Sequence, residues 1–176
     1  DLFSVKSIMK ILYYANFTMN NGDGPSNHVM QICREFSKLG HKVLLVSKIP
    51  KQKIKEKNFR SCFVPNVIFG IKWSRLSKLV WWIVNNLAVF LFQPDIIYER
   101  LGKPNLFVLE MAKFWNVPRV VEMNGWSIND AHDKVRKKQL TNLAAIIVTA
   151  PGRQDLLSKH HKVDKKIIHY IPNGVD

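Results

Sequence analysis

The sequence predicts an α/β protein built on a doubly wound, mostly parallel sheet with helices on both faces. Three observations predict it. Short β-rich apolar runs, the first at Ile8 to Ala15, read as buried strands. Segments with helical periodicity separate these runs, and strands that alternate with helices of this length imply a parallel sheet covered on both sides. Finally, 176 residues with 47% apolar content suit one α/β domain with a full core rather than a disordered chain. Right-handed crossovers then wind the chain outward in both directions.

After the first strand, Asn16 to Pro25 is a polar loop that carries glycine. Ser26 to Leu39 is predicted helical because Val29, Ile32, Cys33 and Phe36 share a face, with Ser26 as its cap and Gly40 closing it. Lys42 to Ser47 is the second strand. Lys48 to Arg60 is a basic connection with six positive residues and one Glu. A third strand lies in either Ser61 to Pro65 or Val67 to Gly70. Ser74 to Phe92 reads as a helix, and Asp95 to Tyr98 as the fourth strand. Pro104 opens a helix that runs to Trp115, proline being suited to the first helical position. Arg119 to Met123 is the fifth strand, Asp130 to Leu140 a charged helix, and Ala144 to Thr149 the sixth strand. Pro151 opens a helix ending near His161, and Ile167 to Ile171 is the last strand.

The net charge of +14 bears on partners rather than on fold. It favours phosphate groups, acidic lipid surfaces or nucleic acid, and is also compatible with a Lys-rich solvated surface. The two cysteines, Cys33 on an apolar helical face and Cys62 in a strand, have no metal-ligand neighbour at close spacing and read as buried thiols of a reducing compartment. No metal site is expected. Residues 1–8 are expected to be a cloning remnant or a ragged native start, without a secretory signal. The longest apolar stretch, Leu79 to Phe92, is interrupted by Asn85 and Asn86, and fits a buried or surface-lying helix better than a membrane span.

In doubly wound sheets ligands sit at the carboxyl ends of the strands. That rule selects the loops after Ala15, Tyr98, Met123 and Thr149. The first contains Gly22, Gly24, Ser26 and His28. Small residues let a ligand approach the backbone, and the following helix offers unpaired amides and a positive dipole end, so a diphosphate is the expected occupant. A nicotinamide cofactor is not expected: Asn27 holds the third glycine place, the loop after Ala15 is long, and no carboxylate follows the second strand at Ser47. Glu99 and Arg100 follow the fourth strand as adjacent opposite charges, suited to sugar hydroxyls or phosphate, or else to a structural ion pair. Glu122, Asn124 and Gly125 end the fifth strand. Glu122 and Met123 alternate, so only one faces a ligand. No triad, metal constellation or acid–base carboxylate pair stands out, and no catalytic residue is assigned. The basic stretches Lys48 to Arg60, Lys134 to Lys138 and Arg153 to Lys166, with Trp73, Trp81 and Trp82, fit an anionic bilayer. Nucleic acid is the weaker option, because no aromatic RNA platform or DNA-reading helix is present.

Four stretches in order carry a resemblance. Met9-Lys10-Ile11-Leu12-Tyr13 leads through the glycine loop to His28-Val29 and Gly40-His41-Lys42-Val43. Pro94-Asp95-Ile96-Ile97-Tyr98-Glu99-Arg100 and Val117-Pro118-Arg119-Val120-Val121-Glu122-Met123-Asn124-Gly125 follow. Ala145-Ile146-Ile147-Val148-Thr149 through Ile171-Pro172-Asn173-Gly174-Val175-Asp176 closes the set. From about Met9 to Asp176 the chain resembles the N-terminal half of a family 4 glycosyltransferase of the GT-B fold. The resemblance implies a Rossmann-like domain over residues 9–172, with 173–176 beginning an interdomain linker. It implies that a nucleotide-sugar is the substrate, that no cofactor is needed, and that a C-terminal domain of the same chain binds the donor and carries the E-x7-E carboxylates. This half would hold a glycan or lipid-linked acceptor and would be inactive alone. Gly22, Gly24 and Ser26 would lie near the leaving diphosphate. His28, Glu99, Arg100, Asn124 and Gly125 would line the acceptor or sugar side. Asn124 departs from the histidine of many members, and Asp23 splits a glycine pair that is adjacent in many of them. The expected location is cytoplasmic, peripheral at the membrane's cytoplasmic face. A stand-alone nucleotide-binding module and a basic polyanion-binding module are the competing readings.

Overall fold

The computed structural model describes residues 7–15, 17, 19, 23–47, 56–63, 76–101, 106–123 and 133–172. Seven strands form one sheet: β1 (Lys10–Ala15), β2 (Lys42–Ser47), β3 (Phe59–Phe63), β4 (Ile96–Leu101), β5 (Arg119–Met123), β6 (Ala145–Val148) and β7 (Ile168–Tyr170). Their order is β3-β2-β1-β4-β5-β6-β7. The helices are α1 (Gly24–Lys38), α2 (Leu76–Phe92), α3 (Phe107–Phe114), α4 (Asp133–Gln139) and α5 (Arg153–His161). This is the doubly wound, Rossmann-like arrangement that the alternating pattern predicts. The chain divides into two compact units, Asp1–Tyr13 with Thr18–Ile96, and Tyr14–Phe17 with Ile97–Asp176.

In the first unit, α1 packs on β2 and β3. Its Val29, Met30 and Cys33 are buried, and each such side chain contributes about 1.5–3 kcal/mol by leaving water. The helix starts at Gly24, three residues earlier than a cap at Ser26 implies. Pro25 is tolerated in a first turn, where its missing N–H loses nothing. The cap is Asp23, whose Oδ1 accepts from the Ser26 amide at 2.7 Å. The helix ends as predicted at Gly40, whose φ of +94° suits glycine. The Gly40 amide donates to the Ser37 carbonyl and the His41 amide to the Phe36 carbonyl, while the Phe36 and His41 rings meet edge to face. His41 then accepts through Nδ1 from the Met9 amide at 3.2 Å, which fastens the helix end to the entry of β1. Asp95 does similar work: its Oδ2 accepts from the Lys10 amide at 2.7 Å, and its own amide donates to the Lys10 carbonyl.

The third strand is β3, which overlaps the first predicted position over Ser61 to Phe63 but starts two residues before it. It begins at Phe59, buried opposite Val43, and runs parallel to β2 through Ser47↔Phe63. The flanking Asn58 and Arg60 hide Phe59 in the sequence; Asn58 accepts from the Val43 amide through its carbonyl and starts the ladder. Val67 to Gly70 lie outside the described residues.

In the second unit, β4, β5, β6 and β7 pair in parallel. One face carries a core of Val121, Met123, Leu140, Ile146, Val148, Leu157, Val163 and Ile168. Three expectations are corrected here. The fourth strand continues to Leu101, so Glu99 and Arg100 belong to it rather than to the loop beyond. Pro151 does not open α5, because Gly152 intervenes at φ +80° as the cap. The last strand is shortened by a 3-10 turn at Lys165–Ile167, set by Asp164 Oδ1 accepting from the Lys166 amide. Pro104 lies outside the described residues.

Candidate functional site

In the parallel pairing of β4 with β5, Ile97 stands beside Arg119, Glu99 beside Val121 and Arg100 beside Glu122. Side chains alternate along a strand, so two faces result. One carries Glu99 and Arg119; the other carries Tyr98, Arg100 and Glu122.

The first face is closed. Arg119 and Glu99 are both about 1% exposed. Arg119 Nη1 donates to Glu99 Oε2 at 2.9 Å. Its Nη2 donates to the carbonyls of Gln139 and Thr141, the second at 3.2 Å. Gln139 is the last residue of α4, so the guanidinium satisfies carbonyls that the helix end leaves unpaired. Burial pushes the Glu99 carboxyl up to about 7, with Arg119's charge and hydrogen bond opposing the shift. Burial also lowers Arg119 from its ordinary value, against the attraction of Glu99. Both directions say that desolvation outweighs attraction in this pair. Tyr14 is raised as well, by burial first and by the charge of Glu99 second.

The second face is more open at its end. Tyr98 Oη donates to Glu122 Oε2 at 3.1 Å. Arg100 Nη1 lies 3.9 Å from Glu122 Oε1, a loose pair compared with the 2.9 Å of Glu99 and Arg119. Arg100 is half-buried and sits one residue before the carboxyl end of β4. A guanidinium is a planar fork of donors, a type of group suited to phosphate, carboxylate or sugar hydroxyls. Glu122 shares this face while Met123 turns into the apolar core, which resolves the predicted alternation.

In the first unit, Gly24, Ser26 and His28 lie in the opening turns of α1. Gly24 is exposed, and a Cβ built on it meets nothing within 4 Å, so the fold leaves room for a side chain there. Ser26 is buried beneath the Asp23 cap, and His28 is half-buried. Asp23 turns inward: its carboxylate holds the Ser26 amide that an incoming anion would use. Gly22, Asn124 and Gly125 lie outside the described residues. Thus Gly24, Ser26 and His28 share one helix, whereas Glu99 and Arg100, adjacent in sequence, point to opposite faces. Arg119 is the residue that the sequence reading missed. An arginine heading a strand that continues as Val120-Val121 needs a buried acidic partner, and that signal was available. Among the described residues, no group of three or more His, Cys, Asp or Glu side chains is placed to hold a metal ion.

The profile describing Glycosyltransferase Family 4 matches residues 22–176. The chain belongs to this family. No curated protein matches it in sequence. Among solved structures, it is similar to a glycosyltransferase from Rickettsia africae, at 15% identity and a TM-score of 0.69, covering 97% of this chain and 44% of that one. It is also similar to HepE of Anabaena, solved in complex with UDP, at 13% identity and a TM-score of 0.67, covering 96% and 45%. UDP-N-acetylglucosamine 2-epimerase from Rickettsia bellii gives 12% identity and a TM-score of 0.63, covering 93% and 44%. At such identities the likenesses show the fold. The chain spans under half the length of these structures, and the family 4 assignment rests on the profile match.

Proposed function

We propose that this chain is the acceptor-side domain of a retaining, hexosyltransferase-type enzyme that moves a sugar from a nucleotide-sugar to a glycan or lipid-linked acceptor. The family 4 match over residues 22–176 is the observation that carries the reading. The chain corresponds to under half of its structural relatives, which supports a second domain that binds the donor. Without that domain the 176 residues are inactive. Gly22 and Gly24, with the α1 amides, are assigned to the donor diphosphate. Hydrogen bonds from such amides stabilise charge as the glycosidic bond breaks. For the Ser26 amide to join them, Asp23 must release it. Arg100, on the second face of β4 and β5, is assigned to phosphate or hydroxyl oxygens, and His28, Asn124 and Gly125 are each assigned to the sugar or the acceptor. Glu99 is assigned to the fold instead, because it is buried against Arg119. No metal or cofactor is required. The net charge of +14 supports a peripheral seat on an acidic membrane at its cytoplasmic face.

The test is release of nucleoside diphosphate from a panel of nucleotide-sugars, run on the chain joined to its second domain and on the 176 residues alone. Turnover only by the joined form is expected, with the product's anomeric configuration matching the donor's. No release by the joined form from any donor, with candidate acceptors present, would overturn the reading.

A further inference from the structure

Helix α2 is apolar almost all round, and its sides are used in an unusual way. Asn85, Ala88 and Val89, spaced three and four residues apart, face the protein and are buried. Ile83, Leu87, Phe90 and Leu91 project from the other side, since two residues of helix turn roughly 200°. Leu91 is 74% exposed, Leu87 48%, and Trp82 on the flank 54%. A polar side chain therefore faces inward while a continuous group of large apolar ones meets solvent. A patch of this kind marks an interaction surface.

We infer that this side of α2 seats the protein on an anionic bilayer, with its apolar side chains at the boundary between headgroups and acyl chains. The inference rests on the membrane-peripheral reading above and names the element that makes the contact. Four observations select a bilayer. The helix has 17 residues, and no described helix is long and apolar enough to cross a membrane, so α2 lies on the surface. Lys72, Arg75 and Lys78 come immediately before or within its first turn in the sequence. Trp82 is the residue type that prefers the headgroup level. Finally, the net charge of +14 and pI of 9.9 attract acidic lipid, whereas a second copy of the chain would bring like charge to like.

Sedimentation with vesicles tests the inference, using phosphatidylcholine alone and phosphatidylcholine mixed with phosphatidylglycerol, at low and high salt. The variant is Leu87→Ser with Leu91→Ser; both positions are exposed, and an unchanged circular dichroism spectrum and melting midpoint would show that the fold is kept. The native chain is expected to bind the acidic vesicles, and the variant to bind about tenfold less or weaker still. A polarity-sensitive dye on Leu91→Cys is expected to shift to the blue when acidic vesicles are added. Equal binding by variant and native chain would overturn the role of α2 while leaving the membrane reading intact. No vesicle binding by the native chain would overturn both, and a dimer dissociated by the double substitution would then assign the face to a second copy. None of these outcomes touches sugar transfer, which the nucleotide release assay reads separately.

Discussion

The two faces of the β4–β5 pair hold the same kinds of charged group and use them differently. On one face Arg119 gives its donors to Glu99 and to two carbonyls at the end of α4, and both charges are out of water. On the other, Arg100 stands loosely by Glu122 near the strand's carboxyl end and keeps partial access to solvent. The difference teaches that an ion pair's role follows from the face of the sheet it occupies. On the closed face it fixes the packing of a helix end. On the other face the guanidinium stands 3.9 Å from its carboxylate and is 13% exposed.

The largest expected effect is on the closed face. Arg119→Met should destabilise the protein by about 3–5 kcal/mol, because it strands the Glu99 carboxylate and two helix-end carbonyls. Denaturant unfolding checks this, and a loss below about 1 kcal/mol would erase the distinction between the faces. The next test turns on pH. Glu99 is raised from 4.5 to about 7, so the native state holds an extra proton between those values. Its contribution to stability is therefore greatest below about 4.5, falls as pH rises towards 7, and is level beyond. Glu99→Gln lacks this loss, so it should gain stability relative to the native chain as pH rises through that window. Unfolding curves at successive pH values read the trend, and the opposite trend would mean that Arg119 dominates burial. On the open face, Tyr98→Phe should cost about 1 kcal/mol through the lost Glu122 hydrogen bond. Gly40→Ala should cost a similar amount, entirely from the backbone, since nothing crowds its Cβ direction. Arg100→Ala should cost less stability than Arg119→Met, because its pair with Glu122 is longer at 3.9 Å against 2.9 Å, yet should lower transfer by the joined enzyme. A large stability loss with unchanged transfer would place Arg100 with Arg119.

The fold was legible wherever sequence pattern and burial coincide. Lys42–Ser47 and Arg119–Met123 match their predicted limits because glycine or proline shortly precedes each strand and apolar side chains fill it. Gly40 could be read as a helix stop because only a residue that tolerates positive φ fits there. Asp23 was harder: Pro25 looked like a loop residue, although proline also suits a first turn. Glu99 and Arg100 were misplaced because a pair of charges looks like the end of a strand, and only the partner strand 20 residues away, which supplies Arg119, explains how a carboxylate stays buried. The solvent side of α2 was not legible, since a helix apolar on every side gives no sequence signal for which side is covered.

Cys33 and Cys62 both belong to the first unit and are not joined in a disulfide. Burial raises both thiols, Cys33 most strongly, because no part of it reaches solvent. An alkylating reagent at neutral pH therefore cannot modify Cys33 until α1 lifts from the strands beneath it. The rate of its modification is a clock for local opening of that unit, read against the half-buried Cys62 as an internal reference, with no label or substitution added to the protein.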